Sequence, residues 1–426
     1  MNIIVNKILK LFSFYWLLLV FGVCISLFLI AILVKLSIFA SYIDELILFG
    51  ILIYGVIKSR TDKIVRNILM LYFMLFAVFV LMSFNAFATR GLLSVILQVF
   101  IHLKYMLLFI FCWGVLGADN SFKFVKIILA TTVFFMFINL LTGDLFNVLF
   151  DTKVNMRSGG VRPIGIQADT GSLGTTFALI GCLIISGLKS TNTNNNIKVI
   201  LLLVMAFLVL IASTRTALIL LPLVVIWWLR DSVKSFVIAF LLLVSSFFVI
   251  QSSNYMDEII AITIDNVEAT VDDPVASSYI RGIMIYFAFE LAVDRFPLGT
   301  GAATYGTVMS DNSDVYAEIG LQNSRYFIEK DGIYDSNFAS LLGEFGFLGL
   351  LLYLFVFYKV IRAPMAYSRQ TNSEPEFRFV LFGVVFAYGV TTPIFMNTYP
   401  AFILVLVIVA SYHSNLSVDK LIQAKK

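Results

Sequence analysis

Two arginines and one aspartate are the residues of this 426-residue chain best suited to chemistry. Arg215 stands among hydroxyl side chains between two apolar runs, and its planar guanidinium could bind two oxygens of a diphosphate. Arg281 follows a cluster of acidic residues, and two such cations side by side would neutralise a diphosphate leaving group without a metal. Asp335 precedes a long apolar run, where a carboxylate could accept the proton of an attacking hydroxyl.

Each of these residues also has a simpler explanation. Arg215 could be an arginine at the tip of a helical hairpin that extends its charge into water. Asp335 has the right position to cap the N-terminus of the helix that follows it. Arg281 could form an ordinary salt bridge with one of three nearby acids: Asp272, Asp273 or Glu290.

Other ionisable residues fall inside or close to apolar segments. His102 and Lys104 lie within one apolar run, where a charge is costly and therefore a functional candidate. We predict that Lys104 lines a polar cavity and that His102, one of only two histidines, packs in the interior. The acidic pairs, Asp272 with Asp273 and Asp311 with Asp314, lack the ligand density of a calcium loop, so no metal site is predicted.

The elements that must position these residues are transmembrane helices. The chain is 60% hydrophobic and 13% charged, whereas a soluble domain has about 25% charged residues. The composition therefore indicates an all-α polytopic membrane protein, and no basic tail or arginine-rich patch suggests nucleic acid. About twelve segments have the length and apolarity of a membrane span: 11–34, 43–58, 66–84, 92–115, 122–142, 168–187, 197–213, 215–230, 233–250, 337–361, 376–394 and 398–413.

Lysine and arginine mark every second connection between these segments. They follow the second, fourth, sixth, eighth and tenth predicted spans, as in the Lys58–Arg66 connection, and they also occur at both ends of the chain. The positive-inside rule then places both termini in the cytoplasm. The acidic stretch 251–337 would face outward, into the periplasm of a Gram-negative cell.

The span pattern divides the chain into three parts. Residues 1–250 would form a transmembrane bundle of about nine helices, and residues 338–426 would form the last helices and a cytoplasmic tail. Between them, residues 251–337 form a large outward loop. Apolar residues at helical spacing within it predict interfacial helices over 255–267 and 278–293.

Several of these residues lie in segments that resemble one family. In order and spacing, the chain resembles the Wzy-type O-antigen and exopolysaccharide polymerases, which share a superfamily with the O-antigen ligases. Four segments carry the resemblance: Gly159–Ala178 (GGVRPIGIQADTGSLGTTFA), Ser213–Leu218 (STRTAL), Arg281 with Phe296–Gly306 (FPLGTGAATYG), and Asp335–Gly349 (DSNFASLLGEFGFLG). Many members of the family have histidine where this chain has Asp335.

The resemblance implies a GT-C-like fold and a glycosyltransferase of the inner membrane that needs no metal or other cofactor. It would polymerise repeat units linked to polyprenyl diphosphate on the periplasmic face and release polyprenyl diphosphate. Arg215 and Arg281 match the arginines thought to hold the diphosphate, and Asp335 would be the base, with Glu344 or a loop acid such as Asp331 as the alternative. Lower-ranked substrate-binding candidates are charged residues, of which Lys104 lies within a predicted span and the others lie in or near the motifs: Lys104, Arg157, Arg162, Arg325 and Glu344.

Two alternatives stay open from the sequence. An O-antigen ligase, which transfers finished glycan to a lipid A core, shares the same motifs. A transporter or flippase of lipid-linked oligosaccharide also commonly has about twelve spans, although no internal repeat is visible here. The predicted partners are lipid-linked glycans and membrane lipid, with a chain-length regulator as a further candidate.

Overall fold

A computed structural model describes residues 40–143, 170–190, 279–329, 332–363 and 374–423, with a few isolated residues and short pieces between 145 and 277. These residues form thirteen α-helices and one short antiparallel hairpin, Met156–Arg157 with Gly160–Val161. The helices are α1 Ala40–Lys58, α2 Lys63–Met82, α3 Ala86–Arg90, α4 Leu92–His102, α5 Lys104–Phe111, α6 Gly117–Thr142, α7 Thr170–Ser190, α8 Ile280–Asp294, α9 Asp314–Glu318, α10 Arg325–Glu329, α11 Asn337–Arg362, α12 Glu374–Thr391 and α13 Thr398–Gln423.

The helices are those of a membrane protein. Within the described ranges, three helical stretches are long and apolar enough to cross a bilayer: Lys63–Met82, Lys104–Thr142 and Asn337–Arg362. The prediction of an all-α integral membrane protein is therefore confirmed. The count of twelve spans stays a prediction, because the segments at 11–34 and between 197 and 250 lie outside the described residues.

The predicted span over 92–115 is divided into pieces. Helix α4 ends at His102, and α5 starts two residues later and leads into a π-helical turn at Cys112–Leu116. Gly117 has a φ of 70°, which separates this turn from α6. The apolar run predicted the span, but it gave no indication that the helix breaks at Leu103, between His102 and Lys104.

Helices α5 and α13 form the centre of the bundle. Every residue of α5 from Lys104 to Ile110 is buried, and so is every residue of α13 from Ile403 to Ala410. A helix that is apolar on all sides lies either in lipid or in a protein core, and the burial of these two helices places them in the core. Helix α13 packs against α5, α6 and α7, while α5 also packs against α1 and α2.

The two ends of the bundle are distinct. At one end, which we call the Trp113 end, the indole of Trp113 donates to Asp62 at 3.1 Å and its ring packs on Tyr412. At the other, the Arg90 end, Arg90 contacts the 303–312 loop, and Phe395 N donates to Asn337 Oδ1 at 2.8 Å. The basic connection between α1 and α2 lies at the Trp113 end.

Helix α8 runs beside the first half of α11 and in the same direction. Arg281, near its start, contacts Asp335, and further along the ring of Phe289 lies 5.6 Å from that of Phe347. One face of α8 is buried against α11, while the other exposes apolar side chains such as Tyr286 and Val293. The helix predicted over 278–293 is thus present. Some of its apolar residues pack against α11, and the others are exposed on the surface.

Helix α11 is interrupted at Gly346. The segment that follows α8 supplies hydrogen bonds to the backbone carbonyls that the interruption leaves unpaired. Gly346 has a φ of 62° and a ψ of −167°, a conformation that is essentially restricted to glycine. Beside it, the amides of Thr300 and Gly301 donate to the carbonyls of Gly343 and Glu344 at 2.9 and 2.7 Å. Buried backbone groups need such partners, above all in a membrane protein. The segments Pro297–Gly301 (PLGTG) and Glu344–Gly349 (EFGFLG) therefore interlock.

Replacing Gly346 with alanine is expected to destabilise the protein. A Cβ atom there would lie 2.3 Å from the Pro297 carbonyl oxygen and 2.8 Å from Gly299 N, both backbone atoms that cannot move freely. The backbone conformation alone would cost about 1–3 kcal/mol. We expect a clear drop in the melting temperature of the detergent-purified protein.

The matched control is Gly383→Ala in α12, where an added Cβ meets nothing within 4 Å. In a helix this change is neutral or stabilising by up to about 1 kcal/mol. Equal melting temperatures for the two variants would contradict the interlocked geometry.

Candidate active site

Arg281 and Asp335 meet at the Arg90 end of the bundle. Nε and one terminal nitrogen of Arg281 donate to the same oxygen of Asp335, at 3.2 and 3.0 Å. Both side chains are 39% exposed. The structure thus brings together two of the three residues predicted to carry the chemistry, 54 positions apart in sequence. Because the pair is reachable from outside, an anion could compete with Asp335 for the guanidinium.

Asp335 does not cap helix α11, so that alternative is wrong. The N-cap is Ser336, whose hydroxyl accepts from Ala339 N at 3.1 Å. A serine hydroxyl is as good a cap as a carboxylate, and it leaves the Asp335 side chain directed to Arg281. Among the described residues Arg281 pairs with Asp335 and not with Glu290, whereas Asp272 and Asp273 lie outside the described part of the chain.

Tyr334 links the residue before Asp335 to the 303–312 loop. Its hydroxyl donates a short hydrogen bond to Asp311 Oδ1. Burial, and then the hydrogen bond to the Asp311 carboxylate, raises the pKa of Tyr334 above its usual value, so the phenol keeps its proton and remains the donor. The backbone next to Asp335 is therefore tied to the 303–312 loop.

The side chain of Arg90, at the end of α3, binds the backbone of that loop. The Arg90 guanidinium donates to the carbonyls of Ala303 at 2.8 Å, Met309 and Asp311 at 2.6 Å each, and Asn312 at 3.2 Å. Ala303 and Asn312 both have positive φ values. A segment with so little regular structure needs an external donor for its carbonyls, and Arg90 supplies it.

Glu344, in α11, binds the start of the same loop. One of its oxygens accepts from Thr304 N at 3.0 Å, Tyr305 N at 3.3 Å and Thr307 Oγ1 at 2.9 Å. Its other oxygen lies 2.8 Å from Nε2 of His102, and both side chains are 0% exposed. The prediction that Glu344 contacts substrate is not supported by this position, because its oxygens bind protein groups and no part of it reaches the surface.

The remaining predicted residues have varied positions. Lys104 is buried and donates to Thr398 Oγ1 at 2.8 Å, which ties α5 to the start of α13. Arg157 lies in the short hairpin and Arg325 starts α10, but their side chains fall outside the described part of the structure. Arg215 and Arg162 lie outside the described residues altogether.

Sequence reasoning missed two residues of this arrangement. Arg90 could have been found from the sequence. It lies in the connection between the third and fourth predicted spans, and the predicted charge alternation makes basic residues rare in such connections. His102 was predicted as packing, whereas it pairs with Glu344 across 242 positions. Its signal was the rarity of an ionisable residue inside a span, but nothing in the sequence named its partner.

Comparison with known families bears on this same region. A family model described as O-antigen ligase matches residues 200–354, which include Arg215, Arg281, Asp335 and Glu344. Neither a curated protein nor a solved structure matches the chain. The match supports a place for this chain in the superfamily of O-antigen ligases and polymerases, integral membrane proteins that act in the assembly of surface glycans.

Proposed function

We propose that the chain polymerises oligosaccharide repeat units carried on polyprenyl diphosphate. The observation that supports this most is the Arg281–Asp335 pair, which sets a phosphate-binding cation and a carboxylate side by side at the Arg90 end. In this proposal the Arg90 end faces the periplasm, and both termini and the Trp113 end face the cytoplasm. The basic connection at the Trp113 end agrees with that orientation.

The reaction would be a direct glycosyl transfer. A hydroxyl oxygen of the acceptor repeat unit attacks the anomeric carbon of the donor glycan and forms the new glycosidic bond. The bond from that carbon to the phosphate oxygen breaks, and polyprenyl diphosphate leaves with the electron pair. Asp335 takes the hydroxyl proton, while Arg281 and Arg215 stabilise the charge that develops on the diphosphate.

Arrival of the donor would also prepare the base. While Arg281 holds Asp335, two donors of the guanidinium occupy one oxygen of the carboxylate. A diphosphate carries more negative charge than one carboxylate and would draw the guanidinium away. Asp335 is then freed only when the donor is in place, which limits unproductive chemistry in the empty site. Lys104, Arg157, Arg162 and Arg325 are lesser candidates for contacts with the substrate.

An O-antigen ligase is the second candidate, favoured by the description of the matching family. The same two residues would serve it, with a hydroxyl of the lipid A core as the acceptor. The two functions differ in whether the acceptor is another repeat unit, so the choice of acceptor distinguishes them.

The test is to incubate the purified full-length protein with its lipid-linked repeat unit alone and separate the products on a gel. The proposal predicts a ladder of chains that grow by one repeat unit. Transfer that begins only when lipid A core is added would replace the polymerase with the ligase. If neither mixture gives a glycosidic product, both proposals fail.

A further inference from the structure

The guanidinium of Arg90 binds the backbone of a single loop. Its four hydrogen bonds all go to backbone carbonyls of one ten-residue segment, at 303, 309, 311 and 312. Within the described ranges its guanidinium has no carboxylate partner, since the ion pairs found there join His102 with Glu344, Arg281 with Asp335 and Arg295 with Glu318. Arg90 therefore holds the backbone conformation of the loop and does not neutralise a charged side chain of the described residues.

The loop it fixes is anchored at its start as well. Glu344 accepts from Thr304 N, Tyr305 N and Thr307 Oγ1, and is itself held by buried His102. With donors at Arg90 and acceptors at Glu344, the segment from 303 to 312 has little freedom to move. A rigid support of this kind is what a reacting group needs to stay in position.

The far end of the loop leads directly to the candidate base. Asp311, whose carbonyl binds Arg90, accepts the hydroxyl of Tyr334 with its side chain. Tyr334 precedes Asp335 in the chain, and Asp335 contacts Arg281. One continuous set of contacts therefore runs from Arg90 through Asp311 and Tyr334 to the reacting carboxylate.

We propose that Arg90 is a positioning residue for glycosyl transfer, which acts through the 303–312 loop and Tyr334 to hold Asp335 in its reactive place. This inference rests on the proposed function. It adds a residue from outside the region that the family model matches, which covers 200–354. Arg90 itself touches neither the substrate nor the reacting atoms in this proposal.

The test compares steady-state kinetics of Arg90→Ala, Arg90→Lys, Tyr334→Phe and the double variant Arg90→Ala/Tyr334→Phe. Misplacement of a catalytic group by about 1 Å can lower the rate about 100-fold. We expect Arg90→Ala to lower kcat by about 10- to 100-fold with KM within about twofold. Arg90→Lys should recover part of the loss, because lysine keeps donors but cannot span four carbonyls.

The double variant tests the route. If Arg90 acts through Tyr334, the two losses should not multiply, and the double variant should equal Arg90→Ala within about threefold. Multiplied losses, or a change confined to KM, would overturn the proposal. Tyr334→Phe keeps the test decisive where Arg90→Ala fails to accumulate, since a single hydroxyl is removed and kcat should still fall.

The matched control is Arg295→Ala, which removes the same charge from an exposed pair with Glu318. Its kcat should stay within about twofold of the unmodified protein, because surface pairs contribute little. An equal loss in both variants would mean a general charge effect and would overturn the proposal.

A second readout does not depend on activity. In an Asp335→Cys background, the rate of labelling by a membrane-impermeant maleimide reports the position of residue 335. Arg90→Ala should change that rate severalfold and Arg295→Ala should not. An unchanged rate would overturn the positioning role even if the unmodified protein transfers no glycan, an outcome that would separately refute the proposed function.

Discussion

Replacement of Arg281 with alanine is expected to abolish chain extension while the protein stays folded in the membrane. The guanidinium would no longer stabilise the diphosphate as its bond to the anomeric carbon breaks, a loss of about 100- to 1,000-fold by comparison with other charge-stabilising groups. Stability should change little, because the pair with Asp335 is 39% exposed on each side and such pairs contribute about 0–1 kcal/mol. The ladder assay and the amount of protein in membranes measure the two effects.

Two further variants sharpen this expectation. Arg281→Lys keeps the charge without the planar fork and should retain a small part of the activity. Asp335→Asn keeps the shape but cannot take a proton, so it too should fail in extension while accumulating normally. A normal ladder from Arg281→Ala would refute the role of this arginine, whereas Arg295→Ala, the exposed control, should extend chains as the unmodified protein does.

The long helices of this protein could be predicted from the sequence because they are apolar runs of membrane length. The runs predicted over 43–58 and 337–361 became Ala40–Lys58 and Asn337–Arg362. Lipid selects such runs by hydrophobicity alone, so their signal is local. Apolar residues at helical spacing likewise predicted the helix that became Ile280–Asp294 in the acidic stretch 251–337.

The contacts between helices could not be read in this way. His102 was visible as a residue that needs a partner, but its partner is 242 positions away. Arg90 was harder still, because its acceptors are backbone carbonyls and every residue type carries one. Arg281 and Asp335 were predicted separately, each from its chemical type, and the resemblance to a family gave them roles before the structure showed them in contact.

Removal of the Glu344 carboxylate is expected to have the largest effect on folding. Glu344→Leu would leave His102 and the amides of Thr304 and Tyr305 without their acceptor in a site with 0% exposure. Breaking one partner out of a buried pair typically costs about 3–5 kcal/mol, a large share of the roughly 5–15 kcal/mol that stabilises a domain. We expect little Glu344→Leu protein in membranes and a strongly lowered melting temperature for what remains.

The companion variants separate the histidine contact from the loop contacts. Glu344→Gln keeps a carbonyl oxygen for Thr304, Tyr305 and Thr307, and should lose about 1 kcal/mol. The double variant His102→Leu/Glu344→Leu removes the unpaired imidazole but leaves the two loop amides unpaired, so it should recover only part of the stability. If the double variant were as stable as Glu344→Gln, the histidine contact would be the whole function of the carboxylate. The loop would then depend on Arg90 alone, and Glu344 would have no part in placing Asp335.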